Sequence, residues 1–270
     1  RNNYQKIMKP HIKERPIPFS PDMVLALLRG WKTQTCRPRG LERFNGWPDW
    51  RIPLHEDAWK ICYFTEEDPG IWRAVFLDKR GDCPPGLNPV VKCPYGKTGD
   101  RLWVREPWKV GLFPPFGGFE VEYLADGMRR VCFPACAPAP AWLGRLKEQS
   151  LEDYQKTGME PWADRSVLRR RAAMFMPRAA SRILLEITDI ELKQLRAITT
   201  TEAIAEGIEE IFYDEYTSAT GWKNYLSPDG MCCRARDSFF TWWDRINGAG
   251  AAENDPWVWM IKFKVLEIEE

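Results

Sequence analysis

The stretch RPIPFSPDMVLALLRGWKTQTCR, residues 15–37, predicts a short amphipathic helix followed directly by a polar segment. Ser20 is a favourable N-cap, Pro21 suits the first helical position, and Gly30 is a typical C-terminal stop. Apolar residues recur between them at the spacing of a buried helix face: Val24, Leu27 and Leu28. This interval therefore predicts a helix that packs on the core and ends at a cluster of polar side chains.

The polar run after this helix contains Lys32, Thr33, Thr35 and Arg37. In an extended chain alternate residues face the same side, so Thr33, Thr35 and Arg37 would share one face. Lys32 then needs a local bend to converge with Thr35. A polar edge strand in water and a site for a polar substrate both explain this composition, and the residues by themselves leave the two interpretations open.

Composition and charge exclude some classes of protein. The chain has 270 residues with 39 basic and 38 acidic side chains, so it lacks the overall positive field with which proteins hold long nucleic acids. No run approaches the roughly 18 apolar residues of a membrane span, and the polar N-terminal residues lack the apolar centre of a secretory signal. We therefore expect a cytoplasmic protein that does not contact a membrane.

One basic cluster is a candidate for local contact with nucleic acid. It consists of six arginines: Arg165, Arg169, Arg170, Arg171, Arg178 and Arg182. A helix over residues 165–173 with a solvated charged face explains most of the same pattern. We prefer this second interpretation, because a charge run in a protein of near-zero net charge is usually a solvated surface.

Cysteine and histidine usage argues against a metal centre and against histidine-based catalysis. The eight cysteines lack the repeated C-x2-C pattern of structural zinc, and a site built from Cys93, Cys132 and Cys136 is the less favoured alternative. The two histidines, His11 and His55, have no recognisable catalytic neighbourhood. No phosphate-binding glycine motif occurs, so we expect no cofactor. Proton transfer in such an enzyme falls to Lys, Glu, Asp, Tyr or water.

The order of the remaining periodic segments argues against a doubly wound parallel sheet. Strand patterns occur within residues 97–106, 118–124, 176–192 and 254–269. Helix patterns occur within residues 198–211, where Ala203, Ile204 and Ile208 are expected to pack inward, and within residues 238–248. Three intervals are interpreted as loop insertions: about 38–92, with one hairpin around residues 72–77, 109–170, with the strand pattern at 118–124, and 212–235. The predicted fold class is α+β, with a small mixed or barrel-like sheet and flanking helices.

The polar run also carries a resemblance to a known family. Gly30, Lys32, Thr33, Thr35 and Arg37 match the Gly-x-Lys-Thr-x-Thr-x-Arg signature of the ASCH superfamily, and the chain resembles its phage-type and metagenomic members. Further similar blocks follow in the expected order: residues 93–108, 176–190, 201–208, 240–248 and 254–263. The resemblance implies one domain over residues 1–270, with a PUA-like mixed β-barrel, flanking helices and the three insertions. Cys36 departs from the pattern, since such sequences often carry a second arginine there.

The resemblance also implies an activity. Small bacterial members that hydrolyse N4-acetylcytidine are similar in these segments and use a lysine, a threonine and a later glutamate. Carried over, these are Lys32, Thr35 and Glu206, with Glu202 as the alternative carboxylate. The implied function is a metal-independent amidohydrolase that cleaves N4-acylated cytosine or cytidine into cytosine or cytidine and a carboxylic acid. Binding of RNA or of modified nucleic acid, which is common for PUA-like domains, and ribonuclease activity are the alternatives.

A flat base also requires side chains that hold it. Trp31 adjoins the motif and offers an aromatic face, and Arg37 completes the motif. Glu106 and Arg182 are candidate walls of the same site. For each of these residues a structural role, as a core aromatic or an edge-strand charge, is the alternative.

Overall fold

The computed structural model of the chain describes residues 12–45, 60–77, 89–134, 140–157, 168–214, 219–227 and 229–269. These ranges contain five α-helices: α1 Pro21–Leu28, α2 Glu42–Asn45, α3 Ala141–Thr157, α4 Thr200–Ala205 and α5 Ala235–Asn247. They contain fourteen strands: β1 Glu14–Pro18, β2 Gln34–Arg37, β3 Lys60–Asp68, β4 Ile71–Leu77, β5 Val90–Lys92, β6 Arg101–Arg105, β7 Trp108–Val110, β8 Phe119–Tyr123, β9 Arg129–Cys132, β10 Ile183–Gln194, β11 Glu210–Asp214, β12 Ala219–Lys223, β13 Met231–Cys232 and β14 Trp257–Ile268. Short 3-10 turns cover Ala173–Phe175, Arg178–Ala180 and Leu195–Ala197.

The largest sheet has five strands in the order β1-β6-β10-β14-β2. β1 runs parallel to β6, and the other neighbours are antiparallel, so the predicted α+β class with a mixed sheet is confirmed. The predicted closure into a barrel is not found among the described strands. The physical reason is that β1 and β2 are open edges, each paired on one side only.

The inner strand β14 is buried on both faces along its first half. Trp257, Trp259 and Ile261 alternate along one face of the strand, and the intervening Val258 and Met260 are buried as well. β14 lies between β10 and β2, and strands covered on both faces read as continuous apolar runs rather than as alternating ones. The alternating pattern of β14 therefore marks only its exposed end, where polar residues reappear.

The two helices next to the polar run form through local capping, as the sequence predicts. The Ser20 hydroxyl accepts a hydrogen bond from the Met23 backbone N–H at 3.4 Å and begins α1. Thr199 and Glu202 form a reciprocal capping box at the start of α4. α4 ends at Ala205 instead of near residue 211, and Ile204, expected to pack inward, is exposed.

The three intervals interpreted as loop insertions contain regular structure. Residues 38–92 include the antiparallel sheet β3-β4-β5. Residues 109–170 include all of α3 and most of the sheet β7-β8-β9, in which β8 confirms the strand pattern at 118–124. Residues 212–235 include most of the sheet β11-β12-β13. In the described ranges no helix is long and apolar enough to cross a membrane.

A buried ion pair lies between the β7-β8-β9 sheet and the start of β10. Arg182 donates from Nε and Nη2 to the two carboxylate oxygens of Glu106, each at 2.9 Å, and from Nη1 to Asp126 at 2.7 Å. The side chains of Arg182 and Glu106 are each 1% exposed. All three nitrogens of the guanidinium therefore have carboxylate partners, which is the condition under which a charge is tolerated in a protein interior.

Substitution of Glu106 tests this structural role. Glu106→Gln leaves the buried Arg182 cation without its bidentate partner, so we expect the free energy of unfolding to fall by about 3 kcal/mol in urea denaturation. The control is Glu14→Gln, which breaks the more exposed pair with Arg178 at 3.1 Å; this change should cost less than about 1 kcal/mol. Equal losses for the two variants would contradict the assignment.

Candidate active site

A cavity of about 340 Å³ lies where α1, β2, the end of α4 and α5 meet. Its walls include four of the residues singled out from the sequence: Lys32, Thr35, Arg37 and Glu206. Lys32, Thr35 and Glu206 are all buried. The predicted catalytic set, drawn from two distant parts of the chain, therefore shares one sheltered space.

Backbone hydrogen bonds bring the two parts of the chain together. β2 pairs with β14 such that Thr35 lies opposite Ile261. The Thr33 N–H donates to the carbonyl of Ala205 at 2.9 Å. The Gln34 side-chain amide donates to the carbonyl of Glu202, also at 2.9 Å. These bonds fix the segment before β2 against the last turn of α4, so that Lys32 meets Glu206.

Gly207 allows this close approach. Its φ of +82° is a left-handed conformation that side chains disfavour, and it ends α4 directly after Glu206. A Cβ atom at this position would lie 2.8 Å from the Cβ atoms of both Ala26 and Lys32. The glycine therefore lets the end of α4 rest against α1 and against the lysine itself.

Lys32 and Glu206 form a buried ion pair in which one carboxylate oxygen makes no hydrogen bond. The Lys32 Nζ donates to Glu206 Oε2 at 2.7 Å and to the Glu206 backbone carbonyl at 2.6 Å, and the two side chains are 1% and 3% exposed. The second carboxylate oxygen, Oε1, is buried without a hydrogen-bond partner. This pair thus differs from Arg182–Glu106, in which both carboxylate oxygens are bonded.

Burial sets the protonation behaviour of this cavity. The pKa of Lys32 lies below its ordinary value, because desolvation outweighs the opposing attraction of Glu206, and Arg37 lowers it further. The same burial, together with Glu206, raises the pKa of the Cys36 thiol well above its ordinary range. Lys32 is therefore shifted toward a neutral amine, whereas Cys36 stays a protonated thiol and is a poor nucleophile.

Arg37 lines the cavity, and its guanidinium group is only partly hydrogen-bonded. Its Nη2 donates to the carbonyl of Pro18 at 2.7 Å, and its guanidinium lies 4.9 Å from the centroid of the Phe19 ring. Its Nε is buried and has no acceptor. Burial lowers the pKa of Arg37 from a very high value, so the group remains a cation at neutral pH.

The aromatic walls of the cavity were missed by sequence reasoning. They are Phe19, Phe239, Trp242 and Trp243, three of which come from α5. The sequence identified this segment only as a helix, because the direction in which a helix points its aromatic residues depends on tertiary packing. Trp243 also lines a second cavity of about 540 Å³ that shares Pro38 and Asn247 with the first.

Three predicted substrate contacts lie elsewhere, which corrects the sequence-based expectation. Trp31 does not line the cavity; it is 49% exposed and stacks under the Arg29 guanidinium at 4.9 Å. Glu106 and Arg182 do not line it either, because they bind each other in the buried ion pair described above. Of the four predicted contacts, only Arg37 faces the cavity.

The structure also distinguishes the two candidate carboxylates. Glu202 caps α4 and accepts a hydrogen bond from Lys193 at 2.6 Å, and it does not line the cavity. Glu206 does line it. The geometry therefore favours Glu206 over Glu202 as the carboxylate of the site.

Within the described ranges, no group of three or more His, Cys, Asp or Glu side chains is arranged to hold a metal ion. Cys136, a member of the alternative cysteine site, lies outside those ranges, as do His11 and His55.

Comparisons of the chain with protein-family models, with curated proteins and with solved structures found no match.

Substitution of Gly207 tests how the site is assembled. Gly207→Ala and Gly127→Ala both place a side chain at positive φ, which costs about 1 kcal/mol in each case. A Cβ at Gly127 would meet nothing within 4 Å, whereas a Cβ at Gly207 would collide with Ala26 and Lys32. We expect Gly207→Ala to lower the free energy of unfolding by a further ~1–3 kcal/mol in urea denaturation. Equal losses would contradict the close approach.

Proposed function

We propose that this protein is a metal-independent amidohydrolase of the ASCH superfamily type, which cleaves the amide of N4-acylated cytosine or cytidine. The observation that carries the proposal is the buried Lys32–Glu206 pair, which shares a cavity of about 340 Å³ with Thr35. The matched Gly-x-Lys-Thr-x-Thr-x-Arg signature supports the same assignment. Amide hydrolysis needs a nucleophile, a base and a proton donor for the leaving amine, and this set supplies them.

Thr35 is the proposed nucleophile, and neutral Lys32 is the proposed base. A neutral amine has two N–H donors and one lone pair, and both hydrogen bonds from Lys32 Nζ go to Glu206. The remaining tetrahedral position is then the lone pair. The Thr35 hydroxyl attacks the acyl carbon while its proton passes to Nζ, which becomes an ammonium group held by the carboxylate.

Collapse of the tetrahedral intermediate breaks the bond between the acyl carbon and N4. N4 receives the proton from Nζ directly or through Glu206, whose Oε1 is unpartnered, and leaves as the amine of cytosine. Because the pyrimidine ring delocalises the nitrogen lone pair, this amine is a good leaving group for an amide. Water then hydrolyses the ester on Thr35, again with Lys32 as base, and releases a carboxylic acid.

The other walls fit the remaining parts of such a substrate. The unpartnered Nε of Arg37 is a donor for the oxyanion that forms on the acyl oxygen. Phe19, Trp242 and Trp243 offer aromatic faces against which a base stacks. The cavity volume lies at the lower end of the ~300–1,000 Å³ of small-molecule pockets, which favours a base or nucleoside over a polymer. The adjoining cavity gives room for the rest of a nucleoside.

The direct test follows the loss of the ultraviolet band of N4-acetylcytidine. We expect wild-type protein to convert it, and we expect Lys32→Ala, Thr35→Ala and Glu206→Gln each to lower kcat/KM by about 100-fold or more. Glu202→Gln is the matched control, because glutamine preserves the capping box and Glu202 lies outside the cavity; it should retain activity. EDTA should have no effect. A wild-type protein that leaves the nucleoside intact but retards a short RNA in a gel would refute the proposal.

The pH dependence of kcat/KM tests the role of Lys32. The rate should rise with pH as Lys32 loses its proton, with a midpoint below its ordinary pKa of 10.5. Arg37→Met removes a cation that lowers the pKa of Lys32, while Glu206 and Cys36 remain, so the midpoint should move to higher pH. The two profiles are compared by midpoint, whatever the loss in maximal rate. A midpoint that is unchanged or lower in the variant would contradict the assignment.

A further inference from the structure

A separate cavity of about 400 Å³ lies between α3 and the segment 169–177. Its walls carry three guanidinium groups, from Arg145, Arg169 and Arg171, and no carboxylate from the described residues. Trp142 and Phe175 add aromatic surface. Two of these arginines belong to the cluster noted in the sequence, whose described residues 168–172 form no helix, so the expected solvated helix face is not found there.

Three arginines of that cluster hold carboxylates. Arg169 binds Asp153 at 2.7 Å, Arg178 binds Glu14 at 3.1 Å, and Arg182 binds Glu106 at 2.9 Å. Arg171 differs, because its side chain hydrogen-bonds only to the neutral amide oxygen of Gln149 in the described structure, at 2.8 Å from Nη1, and its guanidinium lies 5.7 Å from the centroid of the Trp108 ring. Its Nε and Nη2 atoms are buried without an acceptor. Among the described residues no carboxylate hydrogen-bonds to Arg171, although the carboxylate of Asp153, which binds Arg169, attracts its charge through space.

The two free nitrogens of Arg171 form one edge of the guanidinium. Nε–H and Nη2–H point the same way and match the two oxygens of a carboxylate or phosphate. Arg182 uses this same edge to hold both oxygens of Glu106. The backbone of Arg171 is fixed, since its N–H and carbonyl both bond to Trp108, at 2.8 and 3.1 Å. The backbone pairing and the Gln149 contact at Nη1 together hold the guanidinium in the cavity wall.

We propose that this cavity binds the phosphate or carboxylate group of a small molecule through the Nε and Nη2 edge of Arg171. Trp142 and Phe175 then contact the apolar part of the ligand, and Arg145 adds positive charge to the same wall. Burial lowers the pKa of Arg171, and the nearby Arg169 lowers it further; a bound anion opposes both effects. This site is independent of the amide hydrolysis proposed above.

Isothermal titration calorimetry with three probes tests the site: inorganic phosphate, cytidine 5′-monophosphate and benzoate. We expect the intact protein to bind at least one of them. Arg171→Gln, which removes the charge, and Arg171→Lys, which keeps the charge but loses the fork, should each weaken binding by about tenfold or more. Arg170→Gln is the matched control, an exposed neighbour outside the cavity, and should bind as wild type does.

Each contrary result overturns the proposal. If none of the three probes binds, the cavity is not an anion site. If Arg171→Gln or Arg171→Lys binds with full affinity, the Nε and Nη2 edge of Arg171 does not hold the ligand. Loss of binding in Lys32→Ala, with retention in Arg171→Gln, places the ligand in the first cavity. The affinities for phosphate and for benzoate show which of the two anion classes the cavity prefers. Binding of an RNA oligomer, when no small probe binds, indicates a surface for a polymer instead. Should Arg171→Gln fail to fold, as judged by circular dichroism, Arg171→Lys decides the outcome.

Discussion

The contact between the Lys32 ammonium and the Glu206 carboxylate is the constraint on which the arrangement of the cavity depends. Two groups 174 positions apart in the chain meet at 2.7 Å, with side chains only 1% and 3% exposed. Removing both from solvent costs several kcal/mol per ion, and a buried pair of this kind rarely adds net stability. The pairing of β2 with β14 and the close approach allowed by Gly207 offset that cost. The fold therefore holds in place a pair that hydrophobic residues would replace without loss.

The two buried ion pairs of this protein consist of similar groups but differ in whether a proton can move within them. Arg182 has carboxylates on all three nitrogens, and guanidinium does not lose its proton in proteins, so the pair is fixed in one charge state. Lys32 is a titratable amine whose pKa is lowered by burial, and its partner Glu206 keeps one oxygen free. A buried pair that is fully bonded stabilises one arrangement. A pair that has spare lone pairs and a shifted pKa is able to move a proton.

The sequence predicts local structure in this chain better than it predicts tertiary contacts. The N-cap Ser20 and the capping box of α4 act within one helical turn, so residue types at fixed spacing identify them. The resemblance to ASCH proteins linked Glu206 to Lys32, which no local rule does. The pairing of Glu106 with Arg182 was missed, because a charged residue at a strand end looks the same whether its partner is water, substrate or another side chain.

Other errors in the sequence interpretation have the same physical origin. Residues 38–92, 109–170 and 212–235 were interpreted as loop insertions with strands only around 72–77 and 118–124, because prolines, glycines and tryptophans obscure strand periodicity. Each interval contains most or all of a three-stranded antiparallel sheet. Strands of two to five residues, such as β13 and β7, are stabilised by their partners and not by their own pattern. Ile204 was placed inside from helical spacing, but α4 has only six residues and buries one narrow face.

Local charge, and not the net charge of +1, separates the two cavities. The cavity beside Lys32 holds groups of both signs, because the Glu206 carboxylate, whose Oε1 is free, shares its walls with Lys32 and the Arg37 cation. A neutral acylated base enters such a cavity without penalty, whereas the carboxylic acid formed in the proposed reaction is ionised at neutral pH. In the proposed reaction, the free Oε1 of Glu206 would oppose rebinding of that anion, against the attraction of Arg37. The cavity between α3 and the segment 169–177 has three guanidinium groups in its walls and, among the described residues, no lining carboxylate, so its walls favour an anion.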